Sequence, residues 1–187
     1  MFTDAFRRRF VLSTLAGCLA IAGLPADVSA KVFYARDEAL ELAFPGADRV
    51  ETRDVYLTDE QRSRIQALAR APLETSLVTV YAGWKDGKIT SWAVFDTHDV
   101  RTFPETLLVV LTADGKIAAT HVLAFHEPQE YLPPARWLET LAGKSLDDDL
   151  MVGRGVTAIT GSTLSTRALT AGLRRALAIW AVAVGGQ

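Results

Sequence analysis

Six hydroxyl residues lie close together near the C-terminal end of the 187-residue chain, around Gly161 and at the start of an apolar periodic stretch. The pattern predicts an extended segment, a turn at Gly161 and a helix that begins at Thr163 or Leu164. The free N–H groups and the positive dipole end of such a helix favour a phosphate group, to which hydroxyls and Arg167 would add hydrogen bonds and charge. A helix that these side chains simply cap is the alternative. The six residues are Thr160, Ser162, Thr163, Ser165, Thr166 and Thr170.

The sequence contains none of the common enzyme and nucleotide-binding motifs considered next. The chain lacks G-x-S-x-G, G-x-x-x-x-G-K-[ST], H-E-x-x-H and G-x-G-x-x-G. Its three histidines, His98, His121 and His126, are not spaced as ligands on one face, and the single cysteine excludes a cysteine-rich metal site. His121 falls inside an expected strand, whereas His126 follows a strand and precedes Glu127. We therefore expect no metal ion and no catalytic residue.

The composition is that of a globular protein without affinity for nucleic acid. Hydrophobic residues make up 49% and charged residues 22% of the chain, which argues against disorder. The net charge is −2, so no basic patch suitable for nucleic acid is expected.

Residues 1–30 have the order of parts found in a bacterial export signal. The basic cluster Arg7–Arg9 is followed by the apolar run Phe10–Leu24 and by small residues up to Ala30. We predict an exported protein, cleaved after Ala30, in the periplasm or on the outer face of the cytoplasmic membrane. A lipoprotein modified at Cys18, in the sequence LAGC, and an uncleaved anchor are the alternatives.

The remaining residues predict one α+β domain, 31–187. A helical and extended segment, 31–75, precedes a core, 76–187. Two Asp-Gly pairs, at Asp86 and Asp114, lie between β-branched and aromatic runs and predict two hairpins, hence an antiparallel meander of about four or more strands packed with helices. The expected helices cover Lys31–Phe44, Leu57–Pro72, residues 133–143 and the C-terminal stretch, and residues 48–57 are expected to be extended.

The sequence AITGSTLST, from Ala158 to Thr166, resembles the flavinylation motif of FMN-binding domain proteins, D-x-x-[ST]-G-A-T. That family includes the flavin-carrying peripheral subunits of the sodium-pumping NADH:quinone reductase and of Rnf complexes, and many small exported proteins. The resemblance extends loosely over about Ser76–Trp180. Two motif positions differ, because Thr157 stands where the family has Asp and Ser162 where it has Ala.

The resemblance implies that FMN is joined to Thr163 through a phosphoester, by a flavin transferase that uses FAD and Mg²⁺. It implies an electron-transfer protein rather than a stand-alone enzyme, with membrane or periplasmic redox proteins as partners. A flavin-dependent oxidoreductase with its own small substrate, and a flavin-free binding module of the same fold, are the alternatives. The implied cofactor-binding residues are Thr160, Gly161, Ser162, Thr163, Leu164, Ser165 and Thr166, together with His126, Glu127 and Tyr131.

Overall fold

The structure, a computed structural model, describes residues 31–146 and 150–185. The expected export signal and the acidic residues Asp147–Asp149 lie outside the described residues. The strands are β1 (Lys31–Val32), β2 (Arg49–Tyr56), β3 (Leu77–Lys85), β4 (Lys88–Asp99), β5 (Pro104–Thr112) and β6 (Ile117–Phe125). The helices are α1 (Arg36–Ala43), α2 (Asp59–Ala69), α3 (Ala135–Glu139) and α4 (Thr163–Ala183), and a 3-10 turn covers Gln129–Tyr131.

The six strands form one antiparallel sheet in the order β1-β6-β5-β4-β3-β2. The α+β class and the meander predicted from the sequence are confirmed. Asp86, in the first expected turn, has the positive φ of 50° that a tight hairpin turn requires. The extended segment before α2 forms the edge strand β2.

The single helix expected over Lys31–Phe44 is wrong at its start. Lys31 and Val32 pair with Phe125 and Ala124 as a short strand, and α1 begins only at Arg36. Extended backbone suits the run Val-Phe-Tyr because β-branched and aromatic side chains favour strands. The neighbouring edge of β6 offers hydrogen-bond partners, and Phe33 N–H donates to the Leu123 carbonyl at 2.8 Å.

β3 and β4 separate at one end. Their pairing runs from Lys85 and Lys88 at the turn only as far as Val80 and Val94. Beyond that point, Leu77–Thr79 pair only with β2, and the second half of β4 pairs only with β5. A cleft therefore opens between the two strands, next to α4.

The two faces of the sheet are covered unequally. α2, α3 and α4 bury one face, where fully buried leucines of α4 such as Leu169, Leu173 and Leu177 pack against β4 and β5. α1 covers part of the other face through Ala39 and Ala43. Within the described ranges, no helix combines the length and apolar character that a membrane span requires.

Candidate functional site

The hydroxyl-rich turn leads directly into α4, which begins at Thr163 as predicted. Gly161 adopts φ +86°, a conformation that side chains with a Cβ rarely adopt, and no atom lies within 4 Å of the position that a Cβ would take. The turn is held from two sides. The Trp137 indole N–H donates to the Thr157 carbonyl at 2.8 Å, and the Ser162 hydroxyl donates to the Glu130 carbonyl at 3.4 Å.

The hydroxyls of this region donate to carbonyl groups and do not cap the helix. Ser162 is the N-cap residue, but its side chain accepts no hydrogen bond from the first turn. The Thr163 hydroxyl donates to the Ile159 carbonyl at 3.4 Å, and the Thr166 hydroxyl donates to the Thr163 carbonyl at 3.0 Å. The first amide of α4 with a helical partner is that of Thr166, which donates to the Ser162 carbonyl at 2.9 Å. The N–H groups of the first turn are therefore left without a side-chain cap.

Solvent exposure distinguishes the motif residues from one another. Ser162, Ser165 and Thr166 are buried, whereas Thr160 and Gly161 are exposed and Thr163 is half-buried. Leu164 is exposed as well, although it is apolar. Between Thr160 and Thr166, only the hydroxyls of Thr160 and Thr163 belong to residues that a ligand can approach from solvent.

The three other residues expected near a cofactor all follow the end of β6 in the chain, but they make different contacts. His126 Nδ1 lies 3.0 Å from the Pro104 carbonyl. The Glu127 carboxylate accepts hydrogen bonds from the backbone N–H groups of Thr102 and Phe103, at 2.9 and 3.1 Å. Burial opposes ionisation of Glu127, but these N–H groups outweigh it and hold its pKa below the ordinary value.

Only Tyr131 of these three lies in a segment that contacts the hydroxyl turn. It is exposed and ends the 3-10 turn whose Glu130 carbonyl accepts the Ser162 hydroxyl. His126 and Glu127 instead bond to the segment that connects β4 and β5.

A buried cluster of four ionisable residues lies under α4, and the sequence did not predict it. Arg175 of α4 donates to both carboxylate oxygens of Asp96, with both distances 2.8 Å. His98 Nδ1 lies 2.7 Å from the same carboxylate. On its other side, His98 Nε2 is 3.3 Å from Glu105, close enough for an ion pair but without the alignment of a hydrogen bond. Glu105 is completely buried.

Each residue of the cluster affects the pKa of its neighbours. Burial opposes ionisation of Asp96, but the hydrogen bonds from His98 and Arg175 outweigh it and lower the pKa of Asp96. Burial alone would lower the pKa of His98, yet Asp96 and Glu105 raise it to about 9. Burial raises the pKa of Glu105, and the charge of Asp96 adds to that effect. His98 is therefore a cation at neutral pH, held between two acidic side chains.

Gly172 makes room for this cluster. A Cβ at this position of α4 would lie 2.6 Å from Asp96 Oδ2 and 2.9 Å from His98 Cε1. The helix that carries Thr163 thus rests directly on the buried charges. One signal in the sequence pointed to them, since Asp96 and His98 lie two residues apart on one face of β4 and Arg175 follows Arg174 within the mostly apolar second half of α4.

No protein-family model matches the sequence, and no curated protein matches it significantly.

Proposed function

We propose that this protein is an exported flavoprotein that carries FMN on Thr163 through a phosphoester bond. It would transfer electrons between redox proteins at or outside the cytoplasmic membrane. The observation that carries the proposal is the first turn of α4, which has no side-chain cap and begins with the half-buried Thr163. A phosphate attached at this position accepts hydrogen bonds from those N–H groups and benefits from the helix dipole.

The neighbouring residues fit a phosphoester. Gly161 presents open backbone beside Thr163, and the exposed Arg167 lies one turn further along α4. Attachment by a flavin transferase would form the bond between Thr163 Oγ1 and the flavin-side phosphorus as the diphosphate of FAD breaks. AMP then leaves, and the hydroxyl proton is released.

With FMN attached in this way, the cofactor and the protein have different roles. FMN supplies the redox chemistry when bound, and the protein binds and orients it. Thr163 provides the covalent link, and the backbone of residues 161–165 surrounds the phosphate. Ser162 and Thr166 hold the turn through hydrogen bonds to carbonyl groups. The exposed Tyr131 and Leu164 offer apolar surface next to the attachment point.

One observation favours a flavin-free binding module of the same fold. The exposed Thr157 stands where the resembled motif has an acidic residue, so a carboxylate that would assist the transferase is missing. This second candidate predicts a protein that remains unmodified in the presence of the transferase.

The test is expression of the full chain together with a flavin transferase in the periplasm. Denatured wild-type protein should fluoresce on a gel under ultraviolet light, and its mass should increase by that of FMN less one water. Thr163→Val should be dark, whereas the control variant Thr97→Val, at an exposed threonine outside the motif, should remain fluorescent. A dark wild-type protein of unmodified mass would contradict covalent attachment and favour the flavin-free module.

A further inference from the structure

The strand β2 forms a long, open edge of the sheet. Its eight residues, Arg49–Tyr56, pair with β3 on the inner side. On the outer side, no strand of residues 31–146 and 150–185 pairs with β2. Every residue of β2 is exposed or half-buried, and the exposed ones include the large apolar side chains of Val50 and Tyr56. The strand at the opposite edge, β1, is only two residues long.

β2 lacks several features that commonly prevent strand edges from pairing. Such edges are short, or they carry a proline, a lysine or a bulge. β2 contains neither proline nor lysine. Register shifts occur in the β3–β4 and β5–β6 ladders, whereas the pairing of β2 with β3 has none. Charged side chains protect an edge only when a partner brings like charges opposite them, so the order of charges in β2 decides which strand can pair with it.

Alternate residues of β2 direct their backbone groups away from the sheet. Leu57 N–H donates to the Ser76 carbonyl at 2.8 Å, in continuation of the β2–β3 ladder. Hydrogen bonding alternates along an antiparallel pair, so the odd-numbered residues of β2 bond to β3. The even-numbered residues Val50, Thr52 and Asp54 therefore point their N–H and C=O groups outward, where a further strand would bond to them.

The charges of β2 favour one register between two copies of the strand. In a symmetric antiparallel pair, opposite side chains lie on the same face, so the centre of symmetry falls on a residue. Centred on Thr52, the pair places Glu51 of each copy opposite Arg53 of the other. Centred on Glu51, Arg53 or Asp54, the pair places two identical charges opposite each other. Opposite charges across a strand pair are favourable and like charges are not, which leaves the register centred on Thr52.

Glu51 and Arg53 are already arranged for these contacts. Arg53 Nε donates to Glu51 Oε1 at 2.6 Å, and both side chains remain more than a quarter exposed. The Arg53 guanidinium also lies over the Trp92 ring, 5.1 Å from its centre. The hydrogen bond from Arg53 lowers the pKa of Glu51, so both groups are charged at neutral pH. Two copies would form a ring of four alternating charges.

We propose that β2 is the interface with a second copy of this chain, which pairs edge to edge in the antiparallel register centred on Thr52. The two six-stranded sheets would then continue into each other across a two-fold axis. The inference does not depend on the proposed function, because none of these residues belongs to the hydroxyl-rich turn at Thr163.

Sedimentation velocity of the purified full chain, over a series of concentrations, measures this association. Wild-type protein should show a monomer–dimer equilibrium. Glu51→Arg and Arg53→Glu each bring like charges together twice in a dimer, and each should weaken dimerisation about tenfold. An equimolar mixture of the two variants should restore dimerisation, because each supplies the charge that the other has lost. A change within a single folded chain would not be reversed by mixing.

Thr52→Pro tests the backbone contacts at the centre of the interface. It removes an outward N–H and leaves the ladder with β3 in place, so it should prevent dimerisation. Thr52→Val keeps that N–H and is the matched control, which should dimerise like wild type. Circular dichroism establishes that each variant is folded. A wild-type protein that is monomeric at every concentration would overturn the inference. So would a dimer that Thr52→Pro leaves intact, or charge variants that associate no better together than apart.

Discussion

Substitution of Gly172 by Ala tests whether the buried charges define the position of α4. In an ordinary helix interior this change stabilises a protein by about 1 kcal/mol, because glycine is the poorer helix former. Here the added methyl group would lie 2.6 Å from Asp96 Oδ2, 2.9 Å from His98 Cε1 and 3.1 Å from Leu107 Cδ1. Either the helix or the carboxylate must move.

The cost can be worked from these contacts. Overpacking at a buried site costs about 2 kcal/mol. Displacement of Asp96 weakens its bonds to His98 and Arg175, and a hydrogen bond to a charged group is worth about 2 kcal/mol. Set against the helix-forming gain of about 1 kcal/mol, the expected result is a net loss of about 3 kcal/mol in the free energy of unfolding.

Urea unfolding at pH 7, followed by circular dichroism, measures this loss. Ala171→Gly, at the neighbouring half-buried position, is the control, and it should cost about 1 kcal/mol from helix propensity alone. A Gly172→Ala protein more stable than wild type would refute the reasoning, because it would mean that α4 does not rest closely on Asp96 and His98.

Two further predictions concern α4 and the buried charges beneath it. The pKa of His98 rises from 6.5 in the unfolded chain to about 9 in the folded protein, so its stabilising contribution is complete below pH 6.5 and is lost as the pH rises through 9. The free energy of unfolding should fall by up to about 3 kcal/mol over that range, and His98→Gln should flatten the profile. Arg174 donates to the Ala69 and Leu68 carbonyls at the end of α2. Arg174→Met should therefore lower the free energy of unfolding, measured in urea, by about 2 kcal/mol. The exposed Arg167→Met should change stability little by comparison.

The parts of the fold that depend on residues close together in the sequence could be predicted from it. The Asp-Gly pairs at Asp86 and Asp114 define hairpin turns from their own backbone preferences. α2 begins after Thr58, whose side chain accepts a hydrogen bond from the Gln61 N–H, and this capping pattern is visible in the sequence. The start of α4 at Thr163 follows in the same way from Gly161 and the apolar period.

Contacts between distant parts of the chain were not predictable. The bond between Asp96 and Arg175 joins residues 79 positions apart, so no local pattern pairs them. The strand at Lys31 likewise depends on Phe125, at the far end of the meander. The role of the hydroxyls escaped prediction for another reason. A threonine side chain can accept from a helix amide or donate to a carbonyl of the preceding turn, and the local sequence permits both.

Because β3 separates from β4 at one end, we expect local opening of the sheet to occur between these two strands. Backbone hydrogen bonds join β3 to β4 only along Val80–Lys85, with β2 and β3 on one side of this stretch and the other four strands on the other. Opening along this stretch would break few backbone bonds, and native-state hydrogen exchange would detect it as an event below global unfolding. α4 restrains it, because Arg175 binds β4 while Arg174 binds the end of α2. The helix that begins at Thr163 therefore also couples the two halves of the sheet.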